Sequence, residues 1–225
     1  MSCADWPRNY QDAVACQKAC QDKVRLVPIA APPRLVAGVD VAYDKVGAAL
    51  YGAVVVMSLP DLKLVEEVGA TGKQQFPYIP GLLSFREIPI LLSALKKVRH
   101  RPDVILVDGQ GIAHPRGLGL ASHLGVLIKM PTIGCAKSRL IGTATEPGID
   151  KGSVSTLEWE GKAVGLVLRS RRGCKPLYLS PGNLITLEEA LQVVLTCLGR
   201  YRLPLPLREA HLLSQRLRTR SGGLG

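Results

Sequence analysis

Two stretches decide the fold: Arg34-Leu-Val-Ala-Gly-Val-Asp40-Val-Ala-Tyr43, and Val104-Ile-Leu-Val-Asp108-Gly-Gln-Gly-Ile-Ala-His114-Pro-Arg116. The first carries an aspartate inside an apolar strand pattern and the second ends a short apolar run on one. A carboxylate stripped of water costs several kcal/mol or neutralises, so it is rarely buried without a partner. Two such carboxylates point to a shared hard cation. The ordinary alternatives are a strand-end cap or a salt bridge, and a plain turn for Asp108 before Gly109.

Around Asp40, the segments Leu35–Tyr43, Ala48–Leu59 and Leu64–Thr71 are rich in Val, Ala and Tyr. They are separated by Asp44-Lys-Val-Gly47 and Pro60-Asp61, which predicts an antiparallel meander. Phe76-Pro-Tyr-Ile-Pro-Gly81 then leads into Leu82–Val98, apolar at helical spacing despite Pro89. Val104–Asp108 reads as a strand covered on both faces, Leu118–Lys129 as a helix and Thr132–Ala136 as a strand. A strand reached through a helical crossover lies parallel to its partner. Three antiparallel strands, helix, strand, helix, strand is the order of the ribonuclease H-like fold, an α/β architecture with a mixed central sheet flanked by helices. There the fourth strand lies beside the first, so Asp40 and Asp108 are expected on neighbouring strands.

Farther out, Tyr10–Val24 reads as a helix that stops before Pro28 and Pro32-Pro33, making residues 1–33 an N-terminal helix and linker. Gly152–Glu160 and Lys162–Ser170 flank Glu160-Gly161 as a hairpin, and Leu177–Leu179 adds a strand. Thr186-Leu-Glu-Glu189 is a capping box opening a helix to about Arg200. Leu207–Arg218 reads as a basic helix, followed by a flexible tail, 219–225. The whole chain, 1–225, is expected to form a single domain.

Lys and Arg number 29 against 18 Asp and Glu among 225 residues, a net charge of +11 that favours a polyanionic partner. No run approaches the ~18 apolar residues of a membrane span, and Met1-Ser-Cys-Ala-Asp-Trp-Pro lacks signal-peptide character, so a cytoplasmic location is expected. The six cysteines include no Cys-x-x-Cys pair. Cys16 and Cys20 have helical i, i+4 spacing with no second ligand pair nearby, which argues against zinc. Cys135 and Cys197 read as small core residues.

Other chemistry-bearing residues stand in more ambiguous settings. Glu87 sits near a helix start, where the dipole favours a carboxylate with or without a function. His211 lies on a largely apolar helix face, where a lone histidine is more often a packed core or interface residue than a catalyst. His114 and Lys137 follow strand ends, where active-site loops of open α/β sheets gather, although a surface lysine is the plain reading of Lys137. His100 and His123 have no motif support.

Four strings bring these residues together. Gly38-Val-Asp-Val-Ala-Tyr43, Pro77-Tyr-Ile-Pro-Gly-Leu-Leu-Ser-Phe-Arg-Glu87, Val107-Asp-Gly-Gln-Gly-Ile-Ala-His-Pro-Arg-Gly-Leu-Gly-Leu-Ala-Ser-His-Leu-Gly125 and Pro131-Thr-Ile-Gly-Cys-Ala-Lys-Ser138 resemble the signatures of the endonuclease V family. The resemblance runs from about Gln11 to the final helix. It implies a Mg²⁺-dependent endonuclease, with Mn²⁺ able to substitute, that cuts the second phosphodiester 3′ to a deoxyinosine and leaves a 3′-hydroxyl and a 5′-phosphate. By the same resemblance Asp40 and Asp108 are the metal-binding aspartates, Glu87 the third acidic residue, and His211 completes the site. Lys137 faces the scissile phosphate.

Tyr78 resembles the wedge that fills the gap left by an extruded base, framed by Pro77, Ile79 and Pro80. The pocket is implied to be built from backbone around Gly81, Leu83, Gly109 and Leu120, with His114 beside it. Glycine lets main chain approach a base closely. The expected partner is deoxyinosine-containing DNA, the alternative is inosine in single-stranded RNA, and a monomer is expected. A nucleic-acid binder with purely structural acidic residues and a recombinase of the same fold are the competing classes. Departures from the family pattern are the cysteines of the N-terminal helix and the serine at Ser84, where a more apolar residue often occurs.

Overall fold

Leu35–Tyr43 (β1), Ala49–Ser58 (β2) and Leu64–Lys73 (β3) form the expected antiparallel meander in the computed structural model, which describes residues 6–44 and 48–222. The residues 45–47 of the expected first turn, Cys3 and the last residues of the tail, 223–225, lie outside the described residues. Val104–Val107 (β4) and Thr132–Ala136 (β5) continue the sheet parallel to β1, as the crossover rule requires. Val154–Trp159 (β6), Lys162–Leu168 (β7) and Leu177–Asn183 (β8) complete it antiparallel, giving eight strands in the order β3-β2-β1-β4-β5-β8-β7-β6.

The helices are Tyr10–Gln21 (α1), Leu83–Leu95 (α2), Leu120–Ile128 (α3), Leu187–Thr196 (α4) and Leu205–Gly222 (α5). Strand alternation assigns them to faces. Ala37, Val39, Ile105 and Val107 pack with Ile88 and Leu91 of α2 and Leu124 of α3. Val36, Val104 and Leu106 pack on the other side with Val194 of α4 and Leu207 and Ala210 of α5. The sheet is therefore sandwiched between two helical layers, the mixed α/β ribonuclease H-like arrangement expected. Among the described residues no helix is long and apolar enough to cross a membrane.

Several boundaries differ from the sequence reading, each for a local reason. The strand expected over Leu177–Leu179 runs on to Asn183 through Pro181. Proline cannot donate to a ladder, and it is accommodated where the β5–β8 register shifts between Thr132 and Ile133. The last helix begins at Leu205, because Pro206 falls in its first turn where a missing N–H costs nothing, and it extends to Gly222 rather than Arg218. The helix therefore takes in the first four positions of the expected tail, 219–222. α4 keeps its capping box, in which Thr186 Oγ1 accepts from the Glu189 N–H, but stops at Thr196.

Pro89 lies within α2 without breaking it. Its missing N–H would have bonded the carbonyl of Phe85, four residues back. That carbonyl instead accepts from the Trp6 indole at 2.8 Å, so a residue from the N-terminal segment satisfies the group that proline orphaned.

The contact that matters most for function is between β1 and α5. Gly38 faces the backbone of α5 directly, and a Cβ there would lie against the Pro206 carbonyl and 2.6 Å from the Leu207 nitrogen. At that position the helix rests on the strand with no side chain between them.

Candidate active site

Val39 and Val107 are the last parallel partners of β1 and β4, so Asp40 and Asp108 follow at the same level. Asp40 is 9% exposed. α5 reaches it: Ser214 Oγ donates to Asp40 Oδ2 at 2.5 Å, and His211 Nδ1 lies 3.3 Å from the same oxygen. Ser214 and His211 are one helical step apart, i and i+3, and Ser214 also donates to the His211 carbonyl. The seating of α5 on Gly38 thus sets where both groups meet Asp40.

Glu87 approaches from α2 on the opposite layer and is almost fully buried. The Tyr43 hydroxyl donates to its Oε1, and the Arg86 guanidinium lies 4.2 Å above the Tyr43 ring centre. Burial raises the Glu87 pKa well above the usual carboxylate range, and the charges of Asp40 and Asp108 raise it further. Burial also raises Asp108, an effect opposed by the Lys137 ammonium, which donates to Asp108 Oδ2. Three carboxylates brought to one place are an all-oxygen donor set of the kind a hard divalent cation takes. They line a cavity of about 270 Å³ with Tyr43, Lys137 and His211.

A second cavity, about 410 Å³, shares Asp108, Leu120 and Lys137 with the first. Its wall includes Tyr78, Gly81, Leu83, Gly109, Gln110 and His114. Its floor is close-packed main chain: a Cβ on Gly119 would lie 2.7 Å from the Gly111 oxygen. At the rim, Gly81 takes the left-handed backbone (φ +77°) that favours glycine. Its carbonyl accepts from Gln17 Nε2 at 3.0 Å and Arg116 Nη2 at 2.8 Å, with His114 Nε2 at 3.1 Å. Burial, then the Arg116 charge, pushes the His114 pKa down to about 4, so the neutral ring acts here as a brace for Gly81.

The structure therefore gathers Asp40, Glu87, Asp108, His211 and Lys137 around one cavity, and Tyr78, Gly81, Leu83, Gly109, His114 and Leu120 around its neighbour. Pro77 and Pro80 are exposed and line neither, while Ile79 packs toward Phe76 and Phe85. Tyr78 is 62% exposed at the mouth of the larger cavity. Sequence reasoning missed three groups. Ser214 was legible as i+3 from His211, Tyr43 only once β1 was known to outrun β4, and Gln110 not at all. Gln110 Nε2 donates to the Ser138 carbonyl at 3.0 Å, and its Oε1 is buried without a hydrogen-bond partner among the described residues.

Fold and site together define the class: a ribonuclease H-like hydrolase with a buried carboxylate cluster, the architecture of a nuclease. The endonuclease V family profile matches residues 18–212. Endonuclease V of Nostoc punctiforme is 49% identical over 210 residues, covering 93% of this chain and 95% of its own. Among solved structures, endonuclease V of Streptomyces avermitilis superposes with a TM-score of 0.92 at 40% identity, covering 97% of both chains. A variant of the Ciona intestinalis enzyme, bound to a 23mer DNA containing an inosine followed by a ribo-adenosine, superposes at 0.84 with 28% identity over 93% of this chain and 97% of that one. The chain belongs to the endonuclease V family and is a nuclease.

Proposed function

We propose that this protein is a deoxyinosine endonuclease that repairs deaminated adenine in the cytoplasm, hydrolysing the second phosphodiester 3′ to the lesion with Mg²⁺ and leaving a 3′-hydroxyl and a 5′-phosphate. The observation that carries this reading is the shared wall of Asp108, Leu120 and Lys137, which sets a carboxylate cluster beside a cavity of a size to take a base. The inosine-containing DNA of the Ciona complex supports the substrate. Its ribo-adenosine after the inosine favours, as a second reading, tolerance of RNA.

On this reading Asp40 and Asp108 hold the cation and Glu87 closes its acidic wall. When bound, the ion supplies charge neutralisation at the scissile phosphate and acidifies water. Ser214 and His211 orient Asp40. His211 is also placed to hold or pass a proton at the edge of the site. The Lys137 ammonium meets the phosphate whose charge grows in the transition state. Main chain around Gly81, Leu83, Gly109 and Leu120 reads the base edge, and Gln110 Oε1 offers an acceptor for a base N–H. Hypoxanthine lacks guanine's exocyclic amine, so a close-packed floor rejects guanine by shape. The net charge of +11 supplies affinity for the phosphates.

The deciding assay is cleavage of end-labelled strands with one deoxyinosine or one inosine, DNA and RNA in parallel, with Mg²⁺ and with EDTA. Cuts immediately after the lesion's 3′ neighbour, lost in EDTA, are expected; cleavage independent of inosine or of metal would sink the reading.

Lys137→Ala is expected to lower the single-turnover rate about 10²-fold with little change in affinity. It also has a pH signature. Lys137 favours the charged form of Asp108, so its loss raises the Asp108 pKa further and moves the acid limb of the rate profile to higher pH. An unmoved limb with weaker binding alone would return Lys137 to a surface role.

Tyr78→Ala is expected to weaken binding to paired deoxyinosine DNA by about 1–3 kcal/mol, the worth of a base–aromatic stack. The deficit shrinks on a bulged inosine, where extrusion is already cheap. Equal losses on both substrates would mean that Tyr78 is no wedge.

A further inference from the structure

The cysteines of α1 and Ser84 of α2 converge on one histidine, His123. Cys16 and Cys20 lie one turn apart on α1, and His123 comes from α3, more than a hundred residues later. One ligand atom from each lies within 4.8 Å of the others. His123 is fully buried, and its Nε2 has no hydrogen-bond partner among the described residues. Its Nδ1 sits 2.9 Å from Ser84 Oγ. The ring is held flat against Trp6 (centroids 5.9 Å, 12° between planes) and edge-on to Phe85 at 4.9 Å.

We propose that Cys16, Cys20 and His123 supply three ligands of a structural zinc site that staples α1 to α3, separate from the carboxylate cluster. Two thiolates and an imidazole are the soft donor set that selects zinc and that magnesium avoids. Ser84 plays the orienting part: by accepting the Nδ1 proton it fixes the tautomer and leaves the Nε2 lone pair to the ion. The sequence offered no second ligand pair near Cys16 and Cys20; the fold supplies the third ligand from a helix distant in sequence.

The site has a reason to be where it is. Gln17, between the two cysteines on α1, donates to the Gly81 and Leu118 carbonyls at 3.0 and 2.9 Å and accepts from Arg116. Gly81 and Leu118, with Gln17 itself, line the larger cavity. Fixing α1 against α3 therefore fixes the rim from which Gly81 faces a bound base.

The test uses the full chain purified under reducing conditions with Mg²⁺ present. Atomic emission is expected to find about one zinc per chain. Replacement by Co²⁺ is expected to give the visible bands of tetrahedral cobalt together with a thiolate-to-cobalt charge-transfer band, which a carboxylate site cannot produce. Cys16→Ser/Cys20→Ser abolishes that band, and Ser84→Ala weakens zinc affinity by about 10-fold while far-ultraviolet circular dichroism stays unchanged. Should the double variant fail to fold, the cobalt titration of the unaltered chain still decides. A chain that takes up neither zinc nor cobalt, a cobalt spectrum without the thiolate band, or full zinc retention by a folded double variant each overturns the proposal.

Discussion

Asp40→Asn and Asp108→Asn are each expected to lower Mg²⁺-supported cleavage at deoxyinosine by about 10³-fold or more, while binding of the same DNA in Ca²⁺ is retained. Both changes keep side-chain shape and remove one charge from a cluster in which burial and mutual repulsion already raise Glu87 and Asp108. The amide at position 40 still accepts from Ser214, so the β1–α5 junction survives and the loss falls on cation binding. Affinity rests on the basic surface, which neither change touches. Single-turnover rates and filter binding on one oligonucleotide separate the two quantities. Mg²⁺-dependent cleavage persisting at near-normal rate in either variant would remove the carboxylate cluster from the chemistry.

Gly38→Ala is the second large effect, and it comes from packing. The added methyl group has nowhere to go, because the atoms it meets are backbone of α5 and cannot rotate aside. Either β1 or α5 shifts. Overpacking of this kind costs about 3 kcal/mol, seen as a lower urea midpoint. Function is expected to fall with it, since α5 carries His211 and Ser214 onto Asp40. Cleavage lost in the folded fraction, measured well below the unfolding transition, would tie the defect to the displaced helix. An unchanged midpoint and rate would show that α5 sits on β1 with room for a methyl group.

Periodicity located the long, regular elements, because a strand alternation or helical apolar stripe is a local signal. β1 and β5 were bounded from sequence as they stand, and the α4 capping box appears with both of its hydrogen bonds. Proline misled the reading in two places where tertiary structure absorbed the fault. One is Pro181, seated at a register shift. The other is Pro206, whose missing donor falls in a first turn. At Pro89 the helix was expected to continue, and the structure shows why it does: the Trp6 indole takes the orphaned carbonyl.

By itself the sequence determined the parallel crossover that puts Asp40 beside Asp108, the basic charge, and the membership of Asp40, Glu87, Asp108, Lys137 and His211 in one family signature. Those properties are carried by residues near one another in the chain or by summed composition. Only the tertiary structure decided what the side chains touch. It gave Ser214 to Asp40, Tyr43 to Glu87 and His114 to the Gly81 carbonyl, and it brought His123 to Cys16 and Cys20. Hydrogen bonds and metal ligation act over a few ångströms in space, and residues 33 to 174 positions apart in sequence become neighbours only once the sheet and both helical layers have closed.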